Sequence, residues 1–179
     1  MRLSTKERRA RARAVELLVL DVDGVLTDGG LFYGPEGDTL KRFDAKDGHG
    51  LVLARHLGLR AAILTGRRSA MVEKRAAELG ISPVCQGQRD KRTGLVALLE
   101  EARVPASRAG YVGDDLNDLP AMAQVCFTAC PSDARPEVKA AAHFIARARG
   151  GYGAVREVIE EILKAQGRWT QALRLAAGP

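Results

Sequence analysis

Two aspartates follow a continuous run of apolar residues near the start of the chain. The stretch LLVLDVDGVLTDGG, residues 17–30, places Asp21 and Asp23 where an apolar segment gives way to glycine and turn residues. Asp and Gly are also ordinary turn residues, but a carboxylate can attack phosphorus and divide a difficult hydrolysis into two easier steps through an aspartyl-phosphate. We predict Asp21 as that nucleophile. Asp23 is predicted to protonate the leaving oxygen and later to activate water.

Other residues with useful chemistry stand at the ends of further apolar runs. Thr65 lies in TGR, Asp114 and Asp115 lie in GDD, and Lys91 opens an amphipathic stretch. Several carboxylates in one place repel one another unless a hard cation lies between them, and Mg²⁺ prefers oxygen ligands. We therefore predict a Mg²⁺ site for an anionic substrate. Thr65 and nearby backbone amides would bind phosphoryl oxygens, and Lys91 would neutralise the charge of nucleophile and phosphate.

These residues come together only if the apolar runs are neighbouring parallel strands. Six strand candidates alternate with six amphipathic stretches in the sequence. The strands cover residues 17–22, 60–65, 83–86, 109–114, 125–129 and 143–146, and the helices cover 48–57, 68–79, 89–103, 116–123, 135–141 and 152–166. This alternation predicts an α/β fold with a doubly wound, mostly parallel sheet covered on both faces. Ligands of such folds gather at the carboxyl ends of the strands.

The composition is that of a soluble globular protein. The chain has 179 residues, of which 46% are hydrophobic and 28% are charged, and this length suits one domain with a sizeable core. No apolar run approaches about 18 residues and the N-terminus lacks an apolar signal core, so the sequence predicts no membrane span and a cytoplasmic location. Three cysteines are too few for a disulfide framework and are interpreted as reduced, buried thiols.

The net charge of +6 is concentrated at the N-terminus, where residues 1–16 carry six Lys or Arg against two Glu. A basic arm can contact phosphates nonspecifically. Only eight aromatic residues occur, and they are not interleaved with basic ones as in a nucleic-acid platform. We therefore expect a solvated helix or frayed terminus there and no specific nucleic-acid partner.

Four segments resemble, in order, the motifs of the haloacid dehalogenase superfamily: DVDGVLTDG, ILTGR, QRDK and GDDLND. This resemblance implies a Rossmann-like core and a Mg²⁺-dependent enzyme with an aspartate nucleophile. The superfamily's phosphatases and mutases have the second aspartate, here Asp23, and its dehalogenases lack it. The resemblance therefore favours phosphotransfer over dehalogenation.

The spacing of the motifs leaves no room for the cap domain that many superfamily members carry. Thr65 follows Asp21 by 44 residues and Lys91 follows Thr65 by 26, and the one short insert, GGLFYGPEGDTLKRFDAKDG, is typical of a β-hairpin. From about residue 16 to 168 the chain resembles the capless 3-deoxy-D-manno-octulosonate 8-phosphate phosphatases. This implies an acidic sugar phosphate substrate, a role in lipopolysaccharide precursor biosynthesis, and a homotetramer whose hairpins meet. The predicted divisions are a basic arm (1–16), a phosphatase domain (17–168) and a C-terminal tail (169–179).

The family pattern assigns roles to particular positions of this sequence. It places Mg²⁺ on Asp21, the backbone carbonyl of Asp23, and Asp114, with Asp115 and Asp118 in support. The implied substrate contacts are Asp23, Asp44, Ala45, Lys46, Asp47, Gly48, Gly66, Arg67, Arg75 and Lys91. Independently, Arg68 and Arg75 are seven residues apart and are predicted to share a helix face.

Two positions depart from the pattern of this group. Val52 and Tyr152 stand where basic residues are common, and each removes a contact that an acidic sugar could use. A nonulosonate 9-phosphate phosphatase is therefore the alternative within the group. A phosphorylation switch and a nucleic-acid-binding protein on this scaffold are alternatives of other classes, although the Asp-x-Asp on the first strand argues against the switch.

Overall fold

The computed structural model describes residues 4–35 and 37–177, and it contains a six-stranded parallel sheet with helices on both faces. The elements in chain order are α1 (Thr5–Ala14), β1 (Leu17–Leu20), β2 (Phe32–Gly34), β3 (Gly37–Leu40), α2 (Ala45–His56), β4 (Arg60–Leu64), α3 (Ala70–Leu79), β5 (Val84–Cys85), α4 (Lys91–Ala102), β6 (Ala109–Val112), α5 (Leu119–Met122), β7 (Phe127–Cys130), α6 (Pro136–Ala141), β8 (Phe144–Ile145), α7 (Ala154–Ala165) and α8 (Trp169–Ala177). The predicted fold class and all six predicted strands are confirmed.

The sheet has the strand order β5-β4-β1-β6-β7-β8. Strand β1 lies at its centre, where Leu17 pairs with Arg60 of β4 on one side and with Ala109 of β6 on the other. All four residues of β1 are buried. Because both faces of a parallel sheet are covered, such a strand has no polar alternation, and its carboxyl end opens directly onto the loop that holds Asp21.

Two hydrophobic clusters pack on the two faces of the sheet. Leu18 and Leu20 of β1 belong to the cluster formed with α1, α2, α3, α7 and α8, whereas Leu17 and Val19 belong to the cluster formed with α4, α5 and α6. Successive side chains of a strand point to opposite faces, so β1 contributes to both clusters. Helix α7 packs through a stripe at helical spacing: Val155, Val158, Ile159, Ile162 and Leu163.

Both termini are folded where the structure describes them. Ser4 and Glu7 form a capping box that begins helix α1, and Arg8 of this helix pairs with Glu161 at 2.9 Å. The segment predicted as a tail forms helix α8, whose Ala172 is buried. Residues 1–3 of the predicted arm and 178–179 of the predicted tail lie outside the described residues. Among the described residues, no helix is long and apolar enough to cross a membrane.

The predicted hairpin is present after the first strand. Strands β2 and β3 pair antiparallel with Phe32 opposite Leu40, and Glu36 in the predicted turn lies outside the described residues. Helix α2 then begins at Ala45, three residues before the predicted start, because the carboxylate of Asp44 accepts the backbone N–H of Lys46 at 2.7 Å.

Candidate active site

The carboxyl ends of the central strands converge on one edge of the sheet. Asp21 continues the ladder beyond β1 by donating its backbone N–H to the carbonyl of Val112 at 3.0 Å, and Thr65 does the same beyond β4 toward Cys85 at 3.0 Å. Both side chains are almost fully buried. The parallel register therefore fixes the nucleophile candidate and the phosphate-binding candidate on adjacent strands.

A cavity of about 190 Å³ lies at this edge. It is lined by Asp21, Asp23, Thr65, Gly66, Arg67, Lys91, Asp114, Asp115 and Asn117. Eight of these nine residues were predicted site residues, drawn from all four sequence motifs. Asn117 was missed, although it lies within the GDDLND motif that carries Asp114 and Asp115.

Lys91 forms the buried cation of this site. Its Nζ lies 2.8 Å from Asp21 Oδ2 and 2.5 Å from Asp118 Oδ1, and its side chain is 1% exposed. Burial alone would lower the pKa of Lys91, but the carboxylates of Asp21 and Asp118 outweigh burial and raise it. The ammonium therefore stays charged beside the nucleophile candidate, as neutralisation of a phosphoryl group requires.

Asp118 has no free carboxylate oxygen with which to bind a metal. In addition to Lys91, Tyr111 donates its hydroxyl to Oδ1 at 2.8 Å, and the backbone N–H groups of Asp114 and Asp115 donate to Oδ2 at 2.9 and 3.2 Å. A Cβ on Gly113 would lie 2.4 Å from Asp118 Cγ, so this approach requires glycine. Asp118 thus holds the loop that carries Asp114, and its supporting role toward a bound metal stays a prediction.

Asp21 and Asp114 provide the oxygens that fit a cation. Carboxylate oxygens of Asp21, Asp114 and Asp118 lie within 4.8 Å of one another. Asp21 Oδ1 and Asp114 Oδ1 are buried and have no hydrogen-bond partner among the residues that the structure describes. Burial, with repulsion between the carboxylates, raises the pKa of Asp21 to about 6 and that of Asp114 to about 8. A hard divalent cation would satisfy both orphaned oxygens and remove this repulsion.

Asp23 faces the hairpin, which sequence reasoning did not connect with the chemistry. Its Oδ1 is in contact with Lys41 Nζ, and its Oδ2 lies 3.6 Å from Arg67 Nε. Arg67 in turn donates from Nη2 to Asp38 Oδ1 at 2.6 Å and to the Tyr33 hydroxyl at 2.7 Å. Lys41, Asp38 and Tyr33 carried no signal in the sequence beyond their place in the hairpin insert.

The carboxylate of Asp47 is bonded to the start of helix α7, and the substrate contact that the resemblance implies for it stays a prediction. It is 1% exposed and accepts the backbone N–H groups of Gly153 and Arg156 at 3.2 and 2.7 Å, at the N-terminus of α7. These bonds satisfy orphan donors of that helix. Asp47 therefore holds helix α7 against α2 and does not face the cavity.

The remaining predicted substrate residues lie outside the lining of the cavity. Asp44, which caps α2, is half-buried, and Ala45 and Lys46 in its first turn are exposed, so their contact with substrate stays a prediction. Gly48 and Arg75 come together, because a Cβ on Gly48 would lie 2.2 Å from an Arg75 guanidinium nitrogen. Arg75 also pairs with Glu78 at 2.9 Å.

The predicted shared helix face of Arg68 and Arg75 is wrong. Helix α3 begins at Ala70, so Arg68 precedes it.

The two departures from the family pattern lie in different surroundings. Val52 packs against the core beneath α2, whereas Tyr152 is half exposed with its ring centroid 4.1 Å from the Arg42 guanidinium.

A larger cavity, of about 550 Å³, lies at the opposite edge of the sheet and holds none of the predicted chemistry. Three arginines that line it donate to backbone carbonyls at or next to helix C-termini: Arg13 to Ala165, Arg60 to Ala102 and Arg168 to Leu57. Such contacts satisfy orphan carbonyls and offset the negative ends of the helix dipoles. These arginines are therefore explained by helix capping.

Comparison with known proteins places this site in a defined family. A haloacid dehalogenase-like hydrolase model matches residues 41–125. The chain is 42% identical over 163 residues to the 3-deoxy-D-manno-octulosonate 8-phosphate phosphatase KdsC of Escherichia coli K12, covering 91% of this chain and 87% of that protein.

Two solved structures show the same fold. The 3-deoxy-D-manno-octulosonate 8-phosphate phosphatase of Moraxella catarrhalis, in complex with magnesium, phosphate and KDO, matches with a TM-score of 0.91 at 42% identity, covering 95% of this chain and 98% of that one. The cobalt-bound deoxy-D-mannose-octulosonate 8-phosphate phosphatase of Haemophilus influenzae matches with a TM-score of 0.87 at 36% identity, covering 91% and 98%.

Proposed function

The chain belongs to the haloacid dehalogenase-like hydrolase family, and from this premise we propose that it is a Mg²⁺-dependent phosphatase of 3-deoxy-D-manno-octulosonate 8-phosphate. One observation carries the proposal: Asp21, Asp23, Thr65, Lys91 and Asp114 line a single cavity at the carboxyl edge of the sheet. Relatives that share 42% of their residues with this chain are named for that substrate.

In the proposed reaction, the carboxylate of Asp21 attacks phosphorus and the bond from phosphorus to the sugar oxygen breaks. Asp23 gives its proton to that oxygen, so the sugar leaves as an alcohol. Asp23 then removes a proton from a water molecule, which attacks phosphorus, releases inorganic phosphate and restores Asp21. Lys91 balances the charge of Asp21 throughout, since it lies 2.8 Å from Oδ2.

Asp21 and Asp114 would hold Mg²⁺ through the two buried oxygens that have no other partner in the described part of the chain. When bound, the ion supplies charge neutralisation at the carboxylates and at the phosphoryl oxygens. The backbone carbonyl of Asp23 is the third proposed protein ligand. Thr65 and the backbone of Gly66 line the wall on which the phosphoryl oxygens would rest.

The cavity is too small for a whole eight-carbon sugar phosphate. Its volume of about 190 Å³ is below the roughly 300 Å³ at which pockets for larger organic ligands begin. We propose that the phosphate lies in the cavity while the acidic sugar contacts the first turn of α2, Arg67 and Arg75. Basic residues in this region suit the sugar carboxylate.

A second subunit would complete the wall around the sugar. The hairpin exposes Leu31, Phe32, Tyr33 and Leu40 to between 46% and 62%. Phe32 and Leu40 are a cross-strand pair, so they form one apolar surface beside exposed strand edges. We propose that these hairpins meet in a homotetramer. Formation of a precursor of lipopolysaccharide in the cytoplasm is the proposed setting, and the three free cysteines fit a reducing compartment.

A phosphate-release screen tests the function. The panel contains 3-deoxy-D-manno-octulosonate 8-phosphate, a nonulosonate 9-phosphate, hexose phosphates and nucleotides, each assayed with Mg²⁺ and with a chelator. We expect Mg²⁺-dependent turnover that is fastest on the eight-carbon acid. Asp21→Asn keeps the size of the side chain but removes the attacking carboxylate, so turnover should fall by several orders of magnitude with the fold retained.

Near-normal hydrolysis by Asp21→Asn would contradict the mechanism, and preference for the nine-carbon acid would replace the proposed substrate. A single release of phosphate followed by a stable phosphoprotein would indicate a phosphorylation switch. The nucleic-acid alternative draws on the basic residues of α1, but Arg8, Arg11 and Arg13 already contact Glu161, Cys126 and Ala165 of the same chain.

A further inference from the structure

Four charged side chains form a closed ring that joins the hairpin to the active site. Asp23 contacts Lys41, Lys41 Nζ lies 3.8 Å from Asp38 Oδ2, Asp38 Oδ1 accepts from Arg67 at 2.6 Å, and Arg67 Nε lies 3.6 Å from Asp23 Oδ2. Negative and positive groups alternate around the ring, and its formal charge is zero. Two members line the cavity, and the other two belong to the hairpin or directly follow it.

Lys41 is the member of the ring that solvent reaches least. Its side chain is 2% exposed, compared with 37% for Arg67. Lys41 does not line the cavity, whereas Arg67 does. A buried ammonium is costly unless anions surround it, and Asp23 and Asp38 are the carboxylates that the structure places beside it. Lys41 therefore acts on the site through Asp23.

The contact with Lys41 orients the carboxylate of Asp23. A carboxylate that is free to rotate spends part of its time away from the leaving oxygen, and small misplacements of a reacting group cost much of the rate. Lys41 engages Oδ1, and Oδ2 lies 3.6 Å from Arg67 Nε. The ring thus holds both oxygens of Asp23, a residue that lines the cavity.

We propose that Lys41 is a positioning residue for Asp23, and that the hairpin, through the Asp38–Lys41 part of the ring, sets the geometry of proton transfer. This inference rests on the proposed function, because it requires Asp23 to be the acid and base. It goes beyond that function by giving the hairpin a role inside its own subunit, separate from contact with other copies. A purely structural role, in which Lys41 only anchors the hairpin, is the competing explanation.

Leaving-group dependence separates these explanations. Lys41→Met keeps an unbranched apolar stem and removes the charge. The full-length protein with Mg²⁺ is assayed on two esters that lack the sugar, so that loss of sugar contacts through a displaced hairpin affects neither of them. The alkyl ester is n-butyl phosphate, whose leaving oxygen needs a proton, and the aryl ester is p-nitrophenyl phosphate, whose leaving group needs none. For the aryl ester, the pre-steady-state burst of nitrophenolate isolates formation of the phosphoryl-enzyme from its hydrolysis.

If Lys41 positions Asp23, the charge-removing variant should lose activity where a proton is needed. We expect kcat/KM for the alkyl ester to fall roughly 10- to 100-fold, in line with the cost of misplacing a reacting group. The burst rate with the aryl ester should change by less than about threefold, because that step needs no acid. Lys41→Arg should restore most of the alkyl activity. Lys164→Met, at a lysine paired with Glu160 on the surface of α7, is the matched control.

Combination with Asp23→Asn gives a second, independent readout. A residue that acts only through Asp23 should cause no further loss once the acid is removed, since coupled effects are not additive. Equal losses on both esters, or an additive loss in the Asp23→Asn background, would overturn the proposal and leave Lys41 as a structural anchor. If Lys41→Met does not fold, Asp38→Asn removes the far side of the ring and should show a smaller loss of the same selectivity.

The two proposals fail in distinguishable ways. An active Asp21→Asn variant would contradict the phosphatase mechanism whatever Lys41 does. If Asp21→Asn loses turnover and Lys41→Met loses equal activity on the alkyl and the aryl ester, only the positioning role is contradicted.

Discussion

Replacement of Asp118 by asparagine tests how the metal-binding loop is held. Asp118 is fully buried, and its two oxygens accept from four donors: Lys91, Tyr111 and the backbone N–H groups of Asp114 and Asp115. Asparagine has the same shape but offers only one oxygen that can accept. If the asparagine turns its oxygen toward Lys91, its NH₂ group faces two backbone N–H donors. If it turns the other way, its NH₂ group faces the Lys91 ammonium. In both orientations donor faces donor.

The expected cost follows from this count of donors. Loss of one charged hydrogen bond costs about 1.5–3 kcal/mol, and each buried donor left unsatisfied costs about 1–3 kcal/mol. Because the asparagine can relax partly, we expect a loss of about 4 kcal/mol in the free energy of unfolding. For a chain of this length that corresponds to a fall in Tm of roughly 10 °C. The loop that carries Asp114 should shift with it, so Mg²⁺ should bind more weakly.

Urea unfolding and titration calorimetry with Mg²⁺ measure the two effects. Asp115→Asn is the matched control, because Asp115 is exposed and its Oδ1 accepts the Leu116 N–H at 2.7 Å, a bond that asparagine can keep. Its unfolding free energy should change by less than about 0.5 kcal/mol. A loss below about 1 kcal/mol in Asp118→Asn, with unchanged Mg²⁺ affinity, would refute the argument that Asp118 organises this loop.

Three further predictions concern the metal, the hairpin and Asp47. Burial raises the pKa of Asp21 to about 6 and that of Asp114 to about 8, above the ordinary aspartate value of 3.8. The metal-free folded chain therefore holds more protons than the unfolded chain in this window. The Tm of the chelator-treated protein should fall as the pH rises from about 4 to 8, and it should fall more than the Tm of Asp114→Asn does under the same conditions. A rise in Tm relative to that variant would contradict this. Deletion of residues 33–39 should give species smaller than the intact assembly in sedimentation, which still hydrolyse an aryl phosphate but lose preference for the sugar. An intact monomer with full sugar selectivity would exclude the role given to the hairpin. Asp47→Ala should lose about 2 kcal/mol of stability, because two backbone donors of α7 lose their acceptor. The KM for the sugar phosphate should stay unchanged, whereas a higher KM would return Asp47 to the substrate site.

The sequence by itself determined the sheet and the edge where the chemistry lies. Runs such as LLVL, residues 17–20, and AGYV, residues 109–112, are apolar on both faces of a strand, which predicts a covered parallel sheet. Because parallel strands bring their carboxyl ends to one edge, Asp21, Thr65 and Asp114 could be placed together without coordinates. These inferences depend on periodicity and chain direction, both of which are local properties of the sequence.

Only the tertiary structure decided which partner each charged side chain has. Asp47 belongs to the predicted substrate segment, yet its carboxylate holds the N-terminus of α7 at Gly153, 106 residues away in the chain. Lys41 lies just before that segment and holds Asp23. The carboxylate oxygens of Asp118 likewise accept hydrogen bonds from Lys91, 27 residues earlier, and from the backbone of its own loop. Each of these contacts requires two segments that are distant in the sequence to approach within a few ångströms. That approach is set by how the helices and the hairpin pack on the sheet. It cannot be deduced from residue type and local spacing.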